Sequence, residues 1–534
     1  MDTDCIPFAQ TGYFSKLICD YLEEKTHLKP FYHRFPLLEN FKGQLEEKEA
    51  NYPQAHRAVL SKVLEKQYSG IKTSESTRNN IALLGDHRTF TIVTGHQLNL
   101  FTGPLYFLYK IIATINLAGE LKKTYPDYNF VPIYWMATED HDFEEINYFN
   151  YAGKKLKWNR EASGAVGKLD TKGLEGVYEA FSKELGTSAN AGTLKRLFSE
   201  AYLKHENLTD ATRYLANALF SEYGLVILDG DNSDLKRLLV PFAQKDIFDT
   251  TSFGKVTETI SKLQELPETY GIQVNPREIN YFYLADGIRE RIVEKEGRFY
   301  INETKIEFSK EELLAELETY PERFSPNVIT RPLYQEVILP NLCYIGGGGE
   351  LAYWLELKTS FESLGVAFPM LLLRNSALII TRKQWEKLKK LNLNVSDLFL
   401  KQHSFINKKI REISNIDIDF SDQKQHLEDQ FHALYELAEQ TDKSFLGAVK
   451  AQEVKQKKGL DHLEKRLLKA QKRKLKDQVI RMTDIQNSLF PNGSLQERNL
   501  NFSELYLEHG ENLIPHLIAS LKPLSGEFSI LKMK

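Results

Sequence analysis

The side chains best suited to chemistry fall into four short stretches. Thr138-Glu139-Asp140-His141-Asp142, with Glu144 and Glu145 just beyond, follows the apolar run FVPIYWMA. Carboxylates and an imidazole crowded at a strand end suit a general base or a cation site, and each carboxylate raises its neighbours' proton affinity. The same residues suit the acidic first turn of a helix. Thr94-Gly95-His96-Gln97-Leu98-Asn99-Leu100-Phe101-Thr102-Gly103-Pro104 lies between an expected strand and an expected helix. Ligands of open α/β sheets gather at that place, and a capped polar loop would look alike. Tyr344-Ile345-Gly346-Gly347-Gly348-Gly349-Glu350 enters an aromatic-rich helix, so its backbone N–H groups could approach an anion closely. It matches neither the Walker A pattern nor G-x-G-x-x-G. Ser325-Pro326-Asn327-Val328-Ile329-Thr330-Arg331-Pro332 offers Asn327 and a guanidinium suited to carboxylate or phosphate, or to a structural ion pair. Asp229 and Asp231 are weaker candidates. With no HExxH or CxxC pair, no metal site is expected.

The elements that must position these groups read as an α/β core. Thr89 to Thr94 is a β-branched strand, 105–119 a buried helix and 130–137 a second strand, which makes a βαβ unit and hence a parallel sheet. GLVILDGD (224–231) is a third strand of the same type. The expected organisation is an N-terminal helical segment over 1–85, core parts over 86–150, 224–250 and 325–380, a helical insertion over 151–223, and an insertion with an antiparallel meander over 251–324. The meander rests on turns at Asp286-Gly287 and Glu296-Gly297, and Ser309 with Glu312 predicts a capping box. A coiled-coil domain over 381–489 and a tail over 490–534 packing on the core complete the chain.

The coiled-coil expectation rests on Leu427, Phe431, Leu434, Ala438, Thr441, Phe445 and Ala448, spaced by four and three, and on Leu468, Leu475, Met482 and Leu489, spaced by seven. Residues 412–442 hold nine acids against Lys424 alone. Residues 450–481 hold twelve Lys or Arg against four acids. Two such helices could pair as an arm, within one chain or between two, with charge choosing partner and register.

Composition narrows the functional classes. The 534 residues carry 69 basic and 73 acidic groups, a net charge of −4, so no global attraction to nucleic acid or anionic lipid is expected. Cys5, Cys19 and Cys343 are too sparse for a disulfide framework and point to a reducing, cytoplasmic setting. The densest apolar stretch, 366–373, is too short to span a membrane, and the N-terminus does not read as a signal peptide.

TGHQLNLFTGPLY (94–106), FVPIYWMATEDHDFEEIN (130–147), FSPNVITRPLYQ (324–335), YIGGGGELAYW (344–354) and LFPNGSLQERNLNF (489–502) together resemble the signature blocks of the cysteine-adding enzymes of bacillithiol biosynthesis, in order over essentially the whole chain. That family usually carries Gln at the position of His96 and a less uniform glycine loop. The resemblance implies a Rossmann-like parallel sheet, similar to the nucleotidyl-transferase core of class I aminoacyl-tRNA synthetases, with two connecting-peptide insertions and a helical coiled-coil domain serving homodimerisation. It implies a ligase that joins the carboxylate of L-cysteine to the amino group of glucosaminyl malate.

The residues expected to carry that reaction are Asp140, His141, Asp142 and His96 as catalytic groups. Thr94, Gly95, Gln97, Asn99, Glu139, Asn327, Arg331, Tyr344, Gly346, Gly347, Gly348, Gly349 and Glu350 are expected to bind substrate or nucleotide. Forming an amide in water requires an activated carboxylate, for which ATP or another nucleotide is one class. Only Gly95-His96 matches the end of a HIGH motif, and Lys358-Thr359-Ser360 is the nearest remnant of KMSKS, so the cofactor stays open. Two other readings compete: a metal-dependent hydrolase of a small amide or phosphate substrate using Asp140, His141 and Asp142, and a nucleotide-binding coiled-coil scaffold.

Overall fold

In the computed structural model, which describes residues 2–441 and 443–533, the chain divides into two compact units. The first comprises residues 1–9, 13–378 and 496–531, and the second 10–12, 379–495 and 532–534.

The first unit is organised around five parallel strands: β1 (Thr89–His96), β2 (Asn129–Met136), β3 (Val226–Asp229), β4 (Asn341–Gly346) and β5 (Met370–Leu373). Their spatial order is β5-β4-β1-β2-β3. These strands read as near-continuous apolar runs because both faces are covered, as parallel sheets require. Helix α1 (Tyr106–Thr124) packs on β1 and β2, and Leu117 and Leu121 join Phe90, Ile92, Leu342, Ile345 and Met370 in one buried core. The chain leaves β1 for β2 on one side, whereas β4, far later in sequence, flanks β1 on the other. The junction of β1 and β4 is therefore the point at which strand order reverses. In sheets of this kind ligands bind there, beyond the carboxyl ends of the strands. The register sets Gly95 opposite Trp135 and Tyr344 opposite Val93, so the strand ends carry the candidate loops.

Two expectations need correction. Residues 1–85 are not wholly helical, since Asp2–Pro7 is a strand, paired with Glu527–Lys532 at the far end of the sequence. The 151–223 insertion is not wholly helical either. It opens on a hairpin of Tyr148–Tyr151 with Lys154–Lys157, followed by three helices. Ala152 and Gly153 both have positive φ (48° and 74°), the mirror-image turn that suits two-residue hairpins, and Lys-rich KKLK hides the strand. The second insertion begins with a helix, α2 (Thr251–Gln264), before an antiparallel sheet built on Tyr281–Ala285, Ile288–Lys295 and Arg298–Ile301. Ser309 and Glu312 form a capping box, as their spacing predicts.

In the second unit, helices α5 (Ser421–Glu439) and α6 (Lys443–Lys474) lie antiparallel in one chain. Phe431, Ala438 and Val449 form the packed seam with Leu427 and Tyr435. Leu434 and Phe445, expected in the seam, are instead 38% and 40% exposed, because the buried face steps from Phe431 to Tyr435. Lys424 of the acidic helix bonds Asp461 and Glu464 of the basic one, and Lys457 bonds Glu428. The remaining cations of 465–481 take part in no ion pair among the described residues.

Candidate active site

Two side-chain clusters sit at the carboxyl ends of the central strands, one on each side of β1. On the β4 side, Gly95, the penultimate residue of β1, lies beside Tyr344 and Arg331. A Cβ there would lie 3.4 Å from the Tyr344 hydroxyl and 3.9 Å from the guanidinium. Helices α3 (Thr330–Ile338) and α4 (Gly348–Leu355) bring up the remaining groups. Arg331 donates to Gln335 Oε1 (3.1 Å) and the Tyr353 hydroxyl (3.4 Å). Its guanidinium stands 5.9 Å from the Trp135 ring and 5.8 Å from that of Tyr344, within cation–π range. Among the described residues it has no carboxylate partner, so it can receive an anionic ligand group.

The glycine loop has a different use from the anion cradle its sequence suggests. The Gly347 N–H donates to Glu350 Oε2 (2.8 Å), and the Tyr344 hydroxyl donates to Glu350 Oε1 (2.7 Å). The chain's own carboxylate thus holds the anion position at the start of α4. Gly346 is needed for close packing, since a Cβ would lie 2.9 Å from Leu351 and from Tyr344. Gly348 sits against Ile18 and Phe14, and Gly349 faces open space. Lys110, buried near the N-terminal end of α1, completes the cluster: its ammonium lies 2.7 Å from the Gly95 carbonyl and 2.6 Å from Glu350. Burial pushes Lys110 down from its usual range against the pull of Glu350. Burial pushes Glu350 up, but Lys110 and the loop donors outweigh it and hold the carboxyl below its ordinary value.

On the β2 side, Gln97 Nε2 donates to Asp140 Oδ2 and to Glu145 Oε2, both at 2.9 Å. Burial pushes Asp140 up, but hydrogen bonds from His141 and Gln97 outweigh it, bringing the carboxyl down to about 2. His141 is raised, first by hydrogen bonding to Asp140 and then by the charge of Asp142, against burial and the Arg289 charge. Its Nδ1 lies 2.7 Å from Arg289 Nη1, and Arg289 comes from the meander insertion. Asp140, His141 and Asp142 could present three ligand atoms within 4.8 Å of one another. The Arg289 guanidinium, however, already occupies the imidazole lone pair and puts positive charge where a cation would sit. That positive charge works against a metal cage at these three residues.

Several expected site residues have structural partners instead. Glu139 forms a buried ion pair with Lys236, which also reaches Asp231 at 3.3 Å; burial raises Glu139 even so. Thr138 donates to Asp229 (2.5 Å). Thr94 is fully buried and donates to the Ile345 carbonyl (2.7 Å), tying β1 to β4. Asn327 accepts the Ile329 and Thr330 N–H groups and bonds Asn280, so its amide holds the turn that leads into α3. Lys358 pairs with Glu362 on its own helix.

His96 lies beneath the loop, 7% exposed, with its ring against Tyr106 and Phe107. Burial, with the charges of Lys110 and Arg374, drives its pKa well below the usual range, so it is a neutral imidazole. Among the described residues, its Nε2, Asn99 Oδ1, Thr102 Oγ1 and Thr212 Oγ1 have no hydrogen-bond partner. All four residues line one cavity of about 10 Å³, room for roughly one water. A side chain so enclosed supports the 97–103 loop, and its placement does not suit a catalytic base.

Lys110, Lys236, Arg289 and Tyr353 were not singled out from the sequence. Lys110 alone left a visible signal there, a lone charge in the apolar helix LYFLYKIIATINLAG.

Fold and crevice together define a Rossmann-like α/β protein with a separate helical unit and a polar crevice at the topological switch point. Residues 1–375 match the family model described as bacillithiol biosynthesis BshC, N-terminal Rossmann-like domain, and residues 377–533 that of the BshC C-terminal coiled-coil domain. The chain belongs to the BshC family. A Flavobacterium johnsoniae protein named "Putative cysteine ligase BshC" is 60% identical over 99% of this chain and 100% of its own. Relatives of the same name from Christiangramia forsetii and Flavobacterium psychrophilum are 60% and 57% identical, covering 99% of both chains and 100% of both chains respectively. A solved Campylobacter jejuni chain, titled as an arginyl-tRNA synthetase, covers 83% of this chain and 97% of its own at 12% identity and a TM-score of 0.22, too low to bear on the fold.

Proposed function

We propose that the protein is the cysteine ligase of bacillithiol biosynthesis. It joins the carboxylate of L-cysteine to the amine of glucosaminyl malate through an amide bond, in the last step of the pathway. The observation that carries this reading is Arg331, a guanidinium without a carboxylate partner, standing over Gly95 at the switch point in a chain related end to end to named cysteine ligases. Arg331 suits the cysteine carboxylate or the group that activates it. Asp140 and Asp142 suit an ammonium, and the acidic rim they form with His141 is where the proton released as the amine attacks is taken up. Purified protein incubated with cysteine, glucosaminyl malate and ATP or another nucleoside triphosphate tests this by product mass. Bacillithiol in one arm supports the reading, and none in any arm overturns it.

Association as a homodimer through the coiled-coil unit is part of the same proposal. Leu434, Leu437, Phe445, Leu446 and Val454 are 38–50% exposed on α5 and α6, which supports an apolar contact beyond the intrachain seam. Changing Lys465, Lys469, Lys472 and Lys476 to Glu should weaken association, and a wild-type monomer by light scattering would refute the dimer. A cytoplasmic setting fits three free cysteines. Among the described residues no helix is long and apolar enough to cross a membrane.

A further inference from the structure

Next to the acidic rim lies a cleft of about 350 Å³, lined by Gln97, Asn99, Tyr106, Glu145, Asn150 and Arg498 among others. Its size falls in the range that small-molecule sites occupy. Three elements distant in sequence build it: the loop after β1, the first insertion's hairpin and the short helix Gln496–Asn499. That helix is firmly anchored. Glu497 is fully buried, pairs with Arg374 at 2.8 Å and accepts the Ser376 hydroxyl and the Ala377 N–H, each at 3.0 Å. Asn150 Nδ2 donates to the Asn499 carbonyl (3.0 Å), fastening the hairpin to the same segment. Arg498, between these two fixed points, is exposed and has no carboxylate partner among the described residues. Among the described residues, the cleft therefore has one free cation, Arg498, on the side of the C-terminal segment. It also has one carboxylate, Glu145, which Gln97 ties to Asp140 of the acidic rim.

This polarity matches a ligand that is anionic at one end and cationic at the other. We propose that the cleft is the acceptor subsite: Arg498 binds the carboxylates of a sugar-linked dicarboxylate, and Glu145 holds the sugar's ammonium toward Asp140 and His141. The inference rests on the ligase reading and deepens it by separating the acceptor from the crevice at Arg331. It also assigns a role to the C-terminal block, whose Arg498 is otherwise a solvent-facing side chain.

The test is binding, which needs no turnover. Glucosaminyl malate, glucosamine and ATP are each titrated by calorimetry into the full-length wild type and into Arg498→Met and Arg498→Glu. Arg498 is exposed, so both variants should keep the wild-type melting temperature. The proposal expects glucosaminyl malate to bind the wild type, about ten- to a hundredfold weaker to Arg498→Met, and weaker still to Arg498→Glu. Glucosamine, which lacks the carboxylates, should be insensitive to Arg498→Met. Unchanged glucosaminyl malate affinity in both variants overturns the subsite and leaves the ligase reading standing. Loss of ATP affinity instead reassigns Arg498 to a phosphate and overturns it as well. No binding of glucosaminyl malate to folded wild type overturns the ligase reading, and the subsite with it.

Discussion

Replacing Lys110 with Met tests whether the switch-point cluster is held together as described. The ammonium is 3% exposed with its residue and contacts the Gly95 carbonyl at 2.7 Å and Glu350 at 2.6 Å. Met has nearly the same length, so little cavity opens, and the effect isolates the lost charge. Removing one partner of a buried ion pair costs about 3–5 kcal/mol. Glu350 keeps the Tyr344 hydroxyl and the Gly347 N–H, and about a quarter of its side-chain surface is exposed, so about 2–3 kcal/mol is expected here. Urea unfolding followed by tryptophan fluorescence is a suitable assay, because Trp135, Trp158 and Trp354 lie in the first unit and the Trp354 ring lies 4.6 Å from that of Tyr344. In a double-mutant cycle with Glu350→Gln, a coupling of at least about 1 kcal/mol is expected. A loss below about 0.5 kcal/mol, or additive single effects, would refute the cluster as a coupled support.

Arg331→Met should cut cysteine-dependent turnover by about a hundredfold, the weight of a charge-assisted hydrogen bond, while the melting temperature stays at the wild-type value. The His141 imidazole should titrate above 6.5 by NMR, and Asp140→Asn should lower its midpoint, because Asp140 is the first cause of the raised value. Glu356 is fully buried and accepts the Gln273 and Val274 N–H groups, and its burial outweighs these bonds and pushes the carboxyl up to about 7. The folded state then holds a proton that the unfolded chain loses near 4.5. Stability should therefore fall as pH rises from about 4.5 to 7, by about 3 kcal/mol in all, and Glu356→Gln should flatten that slope and exceed wild-type stability at pH 8.

The parallel sheet was legible because parallel strands buried on both faces read as near-continuous β-branched, aromatic and aliphatic runs, as TFTIVT, FVPIYWMA and LVIL do. The loops at strand ends were legible for the same topological reason. What did not show was the pairing of their charges. Glu139 reads as a site residue until Lys236, nearly a hundred positions away, is seen to neutralise it, and Thr94 until its hydroxyl is found on Ile345. Arg289 and Arg498 reach the site from an insertion and from the C-terminal block, where local pattern carries no information on distant contacts. The glycine loop misled for a physical reason. Gly347 does present an N–H at a helix start, but Glu350, three residues on, reaches back to take it.

The central claim is that this chain makes the cysteine amide of bacillithiol. Deleting its gene in the native cell and quantifying thiols tests that most directly. The account predicts that bacillithiol disappears, glucosaminyl malate accumulates and the wild-type gene restores both. Unchanged bacillithiol, with no glucosaminyl malate accumulating, would contradict it.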